Sequence, residues 1–196
     1  MNRKSRSKNA TATFRRQQRG LATDQYQVCE PRQLLAGIVY SADAGRVFIG
    51  GLPTDDVARV SQVGSEVTVS LSGFPTQTFD VADVNQVVFV GVGGDDHFAN
   101  FTAIPSTAYG NDGNDFLRGG SSDDILVGGR GDDTINGLDG NDVLRGGASP
   151  GFDQLTGGNG DDRIFGSADR STILGCLLYT SPSPRDQRGS RMPSSA

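Results

Sequence analysis

Between residues 110 and 165 an aliphatic side chain returns with a period of about nine: Leu117, Leu126, Ile135, Leu144, Leu155 and Ile164. Two places before each stands an aspartate, namely Asp115, Asp124, Asp133, Asp142, Asp153 and Asp162. Each unit opens on a glycine: Gly110, Gly119, Gly128, Gly137, Gly146 and Gly157, the fifth unit carrying a two-residue insertion read at Pro150 and Gly151. Such a pattern is too punctuated by glycine for a helix. Glycines at places one, two and four, the fourth being Gly113, Gly131, Gly140 and Gly160, allow positive φ and a tight turn. The three residues that close each unit are enough for a short strand whose middle side chain points inward. Stacking the units predicts an all-β ladder of short parallel strands with turns along two edges.

Energetics argue that this ladder needs help. Ordering nine backbones costs on the order of 9 to 18 kcal/mol, whereas one buried Leu or Ile returns about 1.5 to 3 kcal/mol. A backbone hydrogen bond adds only about 0.5 to 1.5 kcal/mol net. Aspartates stacked along an edge also repel one another. A cation in the turns would remove that repulsion, and binding to a site absent from the unfolded chain is folding free energy. Carboxylates and glycine-turn carbonyls are oxygen ligands for a hard ion of flexible geometry, which favours calcium.

Written in register, the units GNDGNDFLR, GGSSDDILV, GGRGDDTIN, GLDGNDVLR, GGASPGFDQLT and GGNGDDRIF resemble the glycine-rich calcium-binding nonapeptide of RTX, or hemolysin-type, proteins. The resemblance implies a parallel β-roll in which two nonapeptides make one coil and each calcium sits between turns on the same edge, one coil apart. Carried onto this chain, one edge holds the turns ending at Asp115, Asp133 and Asp153, and the other those ending at Asp124, Asp142 and Asp162. Three turns per edge leave two gaps, so about four calcium ions are expected. Ser122 in place of the fourth glycine and the insertion at Pro150 and Gly151 are expected to weaken individual sites; Asn111 and Leu138, in place of the second glycine, are expected to matter less.

Other readings of the repeat fare worse. An EF-hand needs a bidentate Glu at its twelfth position, and no Glu follows Glu66. A disordered acidic linker would not hold an aliphatic residue at fixed phase. A metal-free solenoid meets the entropic objection above.

Upstream, Val47 to Ile49, Val57 to Val60, Val67 to Leu71, Phe79 and Val87 to Val90 read as strands, with turn signals at Gly50-Gly51, Gly64 and Gly73. GGLPTDDVARV, with Asp55 and Asp56, and GVGGDDHFA, with Asp96, look like degenerate early units that cap the open end of the roll. Their aspartates are read as turn residues before metal ligands. Asn100 to Tyr109 has lost the glycines and is expected to bridge cap and roll. The expected divisions are thus 1–37, a basic disordered leader; 38–109, a β-rich cap; 110–169, the roll; and 170–196, a truncated end.

Charge sharpens this division. Residues 1–33 carry eight Lys or Arg against Asp24 and Glu30, while residues 91–169 carry fourteen Asp against Arg118, Arg130, Arg145 and Arg163. An acidic array excludes nucleic acid as its ligand. No apolar run is long enough to span a bilayer. Within the leader, CEPRQLLAG at Cys29 to Gly37 resembles the LEPR-XLL motif of large exported bacterial proteins, matching at Glu30, Pro31, Arg32, Leu34 and Leu35 with Cys29 in place of the first Leu.

From Cys176 the chain reads CLLYTSPSPRDQRGSRMPSSA, which resembles a translated sequencing adapter over Cys176 to Asp186 and again over Ser190 to Ala196. The gene is therefore expected to be truncated near Gly175, and the tail is set aside from fold reasoning. That leaves Cys29 and no intrachain disulfide framework.

Catalytic constellations are scarce. His97 is the single histidine, so a HExxH zinc site is impossible, and no GxSxG elbow occurs. His97 is read as a strand surface residue. The expected function is calcium binding by an exported, secreted or cell-surface bacterial protein that folds when it meets calcium outside the cell. Its expected partners are calcium, type I secretion machinery and a cell surface or matrix. A fragment of an RTX hydrolase, protease or polysaccharide-modifying enzyme, or of an adhesin, is the alternative.

Overall fold

The computed structural model describes residues 36–147, 151–167, 170–174 and 179–180. Residues 1–35 of the basic leader, Pro150, Gly175 and most of the adapter-like tail lie outside the described residues, while Gly37, expected in the leader, opens the first strand. The strands in chain order are β1 (Gly37–Ser41), β2 (Arg46–Gly50), β3 (Val57–Val63), β4 (Glu66–Leu71), β5 (Gln77–Asp80), β6 (Gln86–Gly93), β7 (His97–Phe101) and β8 (Ser106–Asp112). They continue with β9 (Phe116–Arg118), β10 (Ile125–Arg130), β11 (Thr134–Asp139), β12 (Val143–Arg145), β13 (Phe152–Asn159), β14 (Arg163–Phe165), β15 (Arg170–Leu174) and β16 (Tyr179–Thr180).

These strands form two sheets, one ordered β1-β2-β6-β8-β10-β12-β14-β16 and the other β15-β13-β11-β9-β7-β3-β4-β5. Successive coils place one strand in each sheet: β6 then β7, β8 then β9, β10 then β11, and onward. From β6 to the end every pairing is parallel. The fold is a parallel β-solenoid of the β-roll kind, with the parallel stacking that the nine-residue period predicts and the coil that the resemblance implies.

Register explains the period. In the first sheet Ile49, Phe89, Ala108, Leu126, Leu144 and Ile164 stand one above the next. In the second, Ala58, Phe98, Leu117, Ile135, Leu155 and Ile173 do the same. The two columns face each other as the core, and every eighth-place aliphatic residue is at most 1% exposed. Volume is balanced along it: Phe89 and Phe98 stack at 5.1 Å between centroids, and small residues, Ala108 and Ala58, are their respective register neighbours.

Strand lengths differ from expectation. β9, β12 and β14 have the expected three residues, but β10 and β11 run for six and β13 for eight. Parallel hydrogen bonding there continues past the aliphatic place into the glycines that open the next unit, as in the pairs Gly129 with Asn111 and Leu138 with Gly158. Turn and strand therefore share residues.

The upstream cap is built of hairpins as well as coils. β1 pairs antiparallel with β2, and β3, β4 and β5 form an antiparallel meander. β2 and β3 nevertheless pair in parallel with β6 and β7, so the parallel ladder is under way well before residue 110. Ile38, Val67, Val69, Leu71 and Val84 bury against the first coils, with Tyr40, Phe74, Phe79 and Val81 packed behind them. A solenoid needs such a plug, because its terminal coil otherwise exposes an apolar end. At the other end Tyr179–Thr180, inside the adapter-like segment, pairs with β14.

Candidate metal centre

Each turn sits at one of two edges, and the sixth-place aspartates form a column along each. On the first edge the Asp56 N–H donates to Asp96 Oδ1 at 2.8 Å, Asp96 to Asp115 at 2.8 Å, Asp115 to Asp133 at 2.9 Å and Asp133 to Asp153 at 3.1 Å. On the second edge Ser106 donates to Asp124 at 2.6 Å, Asp124 to Asp142 at 2.8 Å and Asp142 to Asp162 at 3.0 Å. All of these aspartates are 2% exposed or less.

One carboxylate oxygen per aspartate is thus occupied, and in Asp124 the other is taken as well, by the Gly120 N–H at 2.6 Å. The Oδ2 atoms of Asp96, Asp115, Asp133, Asp142 and Asp162 are buried with no hydrogen-bond partner. Burial, partly offset by the backbone N–H bond, pushes Asp133, Asp142 and Asp96 up to about 7 and Asp115 to about 6, and it raises Asp124. Neighbouring carboxylates in the same column add to the rise, for example Asp115 and Asp153 around Asp133. Such oxygens need a cation or a proton, since a buried unpaired charge is costly.

The glycines make room for this arrangement. A Cβ on Gly110, Gly128, Gly137 or Gly157 would land on the Oδ2 of its own unit's aspartate. The fourth-place glycines Gly113, Gly131, Gly140 and Gly160 have φ between 117° and 135°, and a Cβ there would strike the backbone of the turn one coil earlier. Their peptide groups therefore stack closely along each edge. Among the described residues no three acidic, His or Cys side chains converge on one point, so backbone carbonyls must form much of any ion's oxygen set. Carboxylate and carbonyl oxygens together suit calcium.

The family model described as RTX calcium-binding nonapeptide repeat (4 copies) matches residues 107–135, 118–150 and 148–173. Residues 107–173 are RTX calcium-binding repeats. No curated protein and no solved structure matches the chain. RTX nonapeptides bind calcium.

Three features of the RTX turns escape the sequence pattern. A second ladder runs along the fifth places: Asp95 Oδ1 accepts from the Asn114 N–H at 2.8 Å, Asn114 Oδ1 from Asp132 at 2.8 Å and Asp132 Oδ1 from Phe152 at 2.7 Å. Asp123, Asn141 and Asp161 repeat it on the other edge. The alternation of Asp and Asn at that place was its signal. Second, Gly151 is no mere insertion, because a Cβ on it would strike the Gly131 carbonyl oxygen. It fills the fourth-glycine place, and the added length falls at 148–150, outside the described residues. Third, Asn111 and Leu138 adopt φ of 79° and 85°. The exchange at place two is therefore less neutral than expected: Asn tolerates this region, whereas Leu does so at a cost on the order of 1 to 2 kcal/mol.

Ser122 keeps its backbone in the stack, beneath Gly140, while its hydroxyl donates to the Ala103 carbonyl at 2.5 Å. His97 lies on β7 with its ring stacked on Phe116 at 4.6 Å. Asn100 to Tyr109 contributes a turn of its own: Asn100 is buried, donating to the Ile104 carbonyl and accepting from Thr102, and Ser106 occupies the aspartate place of the second edge.

Proposed function

We propose that the RTX turns hold about four calcium ions, two along each edge. The carboxylates of Asp115, Asp133, Asp142, Asp153 and Asp162 and the carbonyls of Gly113, Gly131, Gly140 and Gly160 would supply the ligands, Asp124, whose two oxygens already accept from Ser106 and Gly120, would close the second edge, and ion binding would drive folding of the roll. The observation that carries this reading is the set of buried, partnerless Oδ2 atoms, those of Asp115 and Asp133 one coil apart on the first edge and those of Asp142 and Asp162 one coil apart on the second. Without an ion they oppose the fold at neutral pH; with one they join successive coils. Sites with dissociation constants near 10⁻⁴ to 10⁻³ M would stay empty in a cytosol and fill outside the cell. Export through a type I secretion route, with release into the medium or retention at a cell surface or matrix, is the setting this chemistry fits. The LEPR-XLL-like stretch Cys29 to Gly37 supports export, and the described residues contain no helix long and apolar enough to cross a membrane.

The test is far-UV circular dichroism of the intact chain, stripped of metal and titrated with calcium. A coil-like spectrum that gains strand signal cooperatively is the expected result. The same compact shape and melting behaviour without metal would overturn the reading.

A further inference from the structure

The first-edge column reaches beyond the RTX segment. Asp96 precedes residue 107, yet it is 2% exposed, its Oδ1 accepts the Asp56 N–H, and its Oδ2 has no partner. A Cβ built on Gly91 would lie on Asp96 Oδ2 and 2.5 Å from the Gly110 carbonyl oxygen. Carboxylate and carbonyl oxygens therefore face one small space. The inner turns repeat this arrangement: at Gly128 the neighbours are Asp133 Oδ2 and the Gly146 carbonyl oxygen, and at Gly137 they are Asp142 Oδ2 and the Gly157 carbonyl oxygen.

One coil earlier the same place is closed. Asp56 Oδ2 accepts the Leu52 N–H at 2.5 Å, and its Oδ1 accepts the Ser72 hydroxyl at 2.9 Å. The second edge ends in a similar way. Asp124 Oδ1 accepts both the N–H and the hydroxyl of Ser106, at 2.6 and 2.7 Å, and its Oδ2 accepts the Gly120 N–H at 2.6 Å. Hydroxyl and amide donors thus satisfy the outermost carboxylates and leave Asp96 open.

Resting on the reading that the inner turns bind calcium, we infer that a further calcium ion binds between the turn 91–96 and the turn 110–115. Asp96 and the Gly110 carbonyl would contribute oxygens, and the column would stop there because Ser72 and Leu52 already satisfy Asp56. Binding at this place would tie the cap to the first RTX coil, since Asp96 immediately precedes β7, which pairs with β3 on one side and β9 on the other.

The experiment is flow dialysis of the intact chain with radioactive calcium, alongside hydrogen exchange with and without calcium. Asp96→Asn should bind one ion fewer per chain than the parent, and Asp56→Asn should bind the parent's number. In the parent, calcium should slow exchange of the amides in 91–97 more than of those in 51–57. An Asp96→Asn chain that folds and binds the parent's number of ions overturns the inference and points to a water in that space. If Asp96→Asn does not fold, the parent's exchange decides, and equal slowing in both turns overturns it. A parent chain that binds no calcium at all sinks the broader reading as well, which marks that failure as a different one.

Discussion

Replacing Asp142 with Asn separates the cost of the buried charge from the value of its hydrogen bond. Asp142 is fully buried, its Oδ1 accepts the Asp124 N–H at 2.8 Å, and its Oδ2 has no partner. Burial first, then Asp124, Asp162 and Asp123, raise its carboxyl from 3.8 to about 7. A group whose folded-state proton affinity is raised adds stability below its unfolded pKa and loses it as the pH climbs through the folded value. Without calcium, ionised Asp142 therefore costs on the order of 2 to 4 kcal/mol at pH 8, at 1.36 kcal/mol for each tenfold change in proton affinity. Asn keeps the Oδ1 acceptor and removes the charge. In calcium-free buffer at pH 8, Asp142→Asn should shift the folding equilibrium toward the roll by about that amount, seen as more strand ellipticity than the parent shows. At pH 4 the gain should fall below about 1 kcal/mol, because the parent carboxyl is already protonated in the fold. With calcium the sign reverses, and the variant should need at least about tenfold more calcium to reach half its transition, a loss of about 1.4 kcal/mol or more. If the variant at pH 8 without calcium is instead destabilised as strongly as a core truncation, charge is not what the metal relieves.

Four further outcomes follow from the same geometry. Leu144→Ala should cost the calcium-loaded chain about 2 to 5 kcal/mol, since it empties a fully buried place between Leu126 and Ile164, and urea unfolding in calcium checks this. Gly110→Ala should abolish calcium-driven folding because its Cβ would land on Asp115 Oδ2, whereas Gly64→Ala, at φ 62° with open space around it, should cost only about 1 kcal/mol in a thermal melt. Lowering the pH from 8 to 5 should raise the calcium concentration at the folding midpoint, as protons compete for Asp115, Asp133 and Asp142 at about 6 to 7. Magnesium should replace calcium poorly in the dichroism titration, because it holds its water and demands octahedral geometry.

The sequence by itself determined the repeating unit, the inward aliphatic columns and the carboxylate columns at two edges. A nine-residue period is local information: glycine permits the turn, the eighth residue fills the core, and the sixth faces the bend, whatever lies elsewhere in the chain. It did not determine which atoms meet between coils. That Asp56 is closed by Ser72, sixteen residues away, or that Gly151 replaces the fourth glycine after an interruption, depends on which backbone lies above which. The fifth-place ladder was half legible as alternating Asp and Asn, but only stacking turns each side chain toward the amide of another coil. The hairpin cap was legible as strands and not as pairings, because an antiparallel return such as β3 to β4 and a parallel coil such as β6 to β8 use the same β-branched residues. Tertiary structure decided those matters because hydrogen-bond satisfaction is a property of neighbours in space, and in a solenoid those neighbours are about one coil apart in the chain.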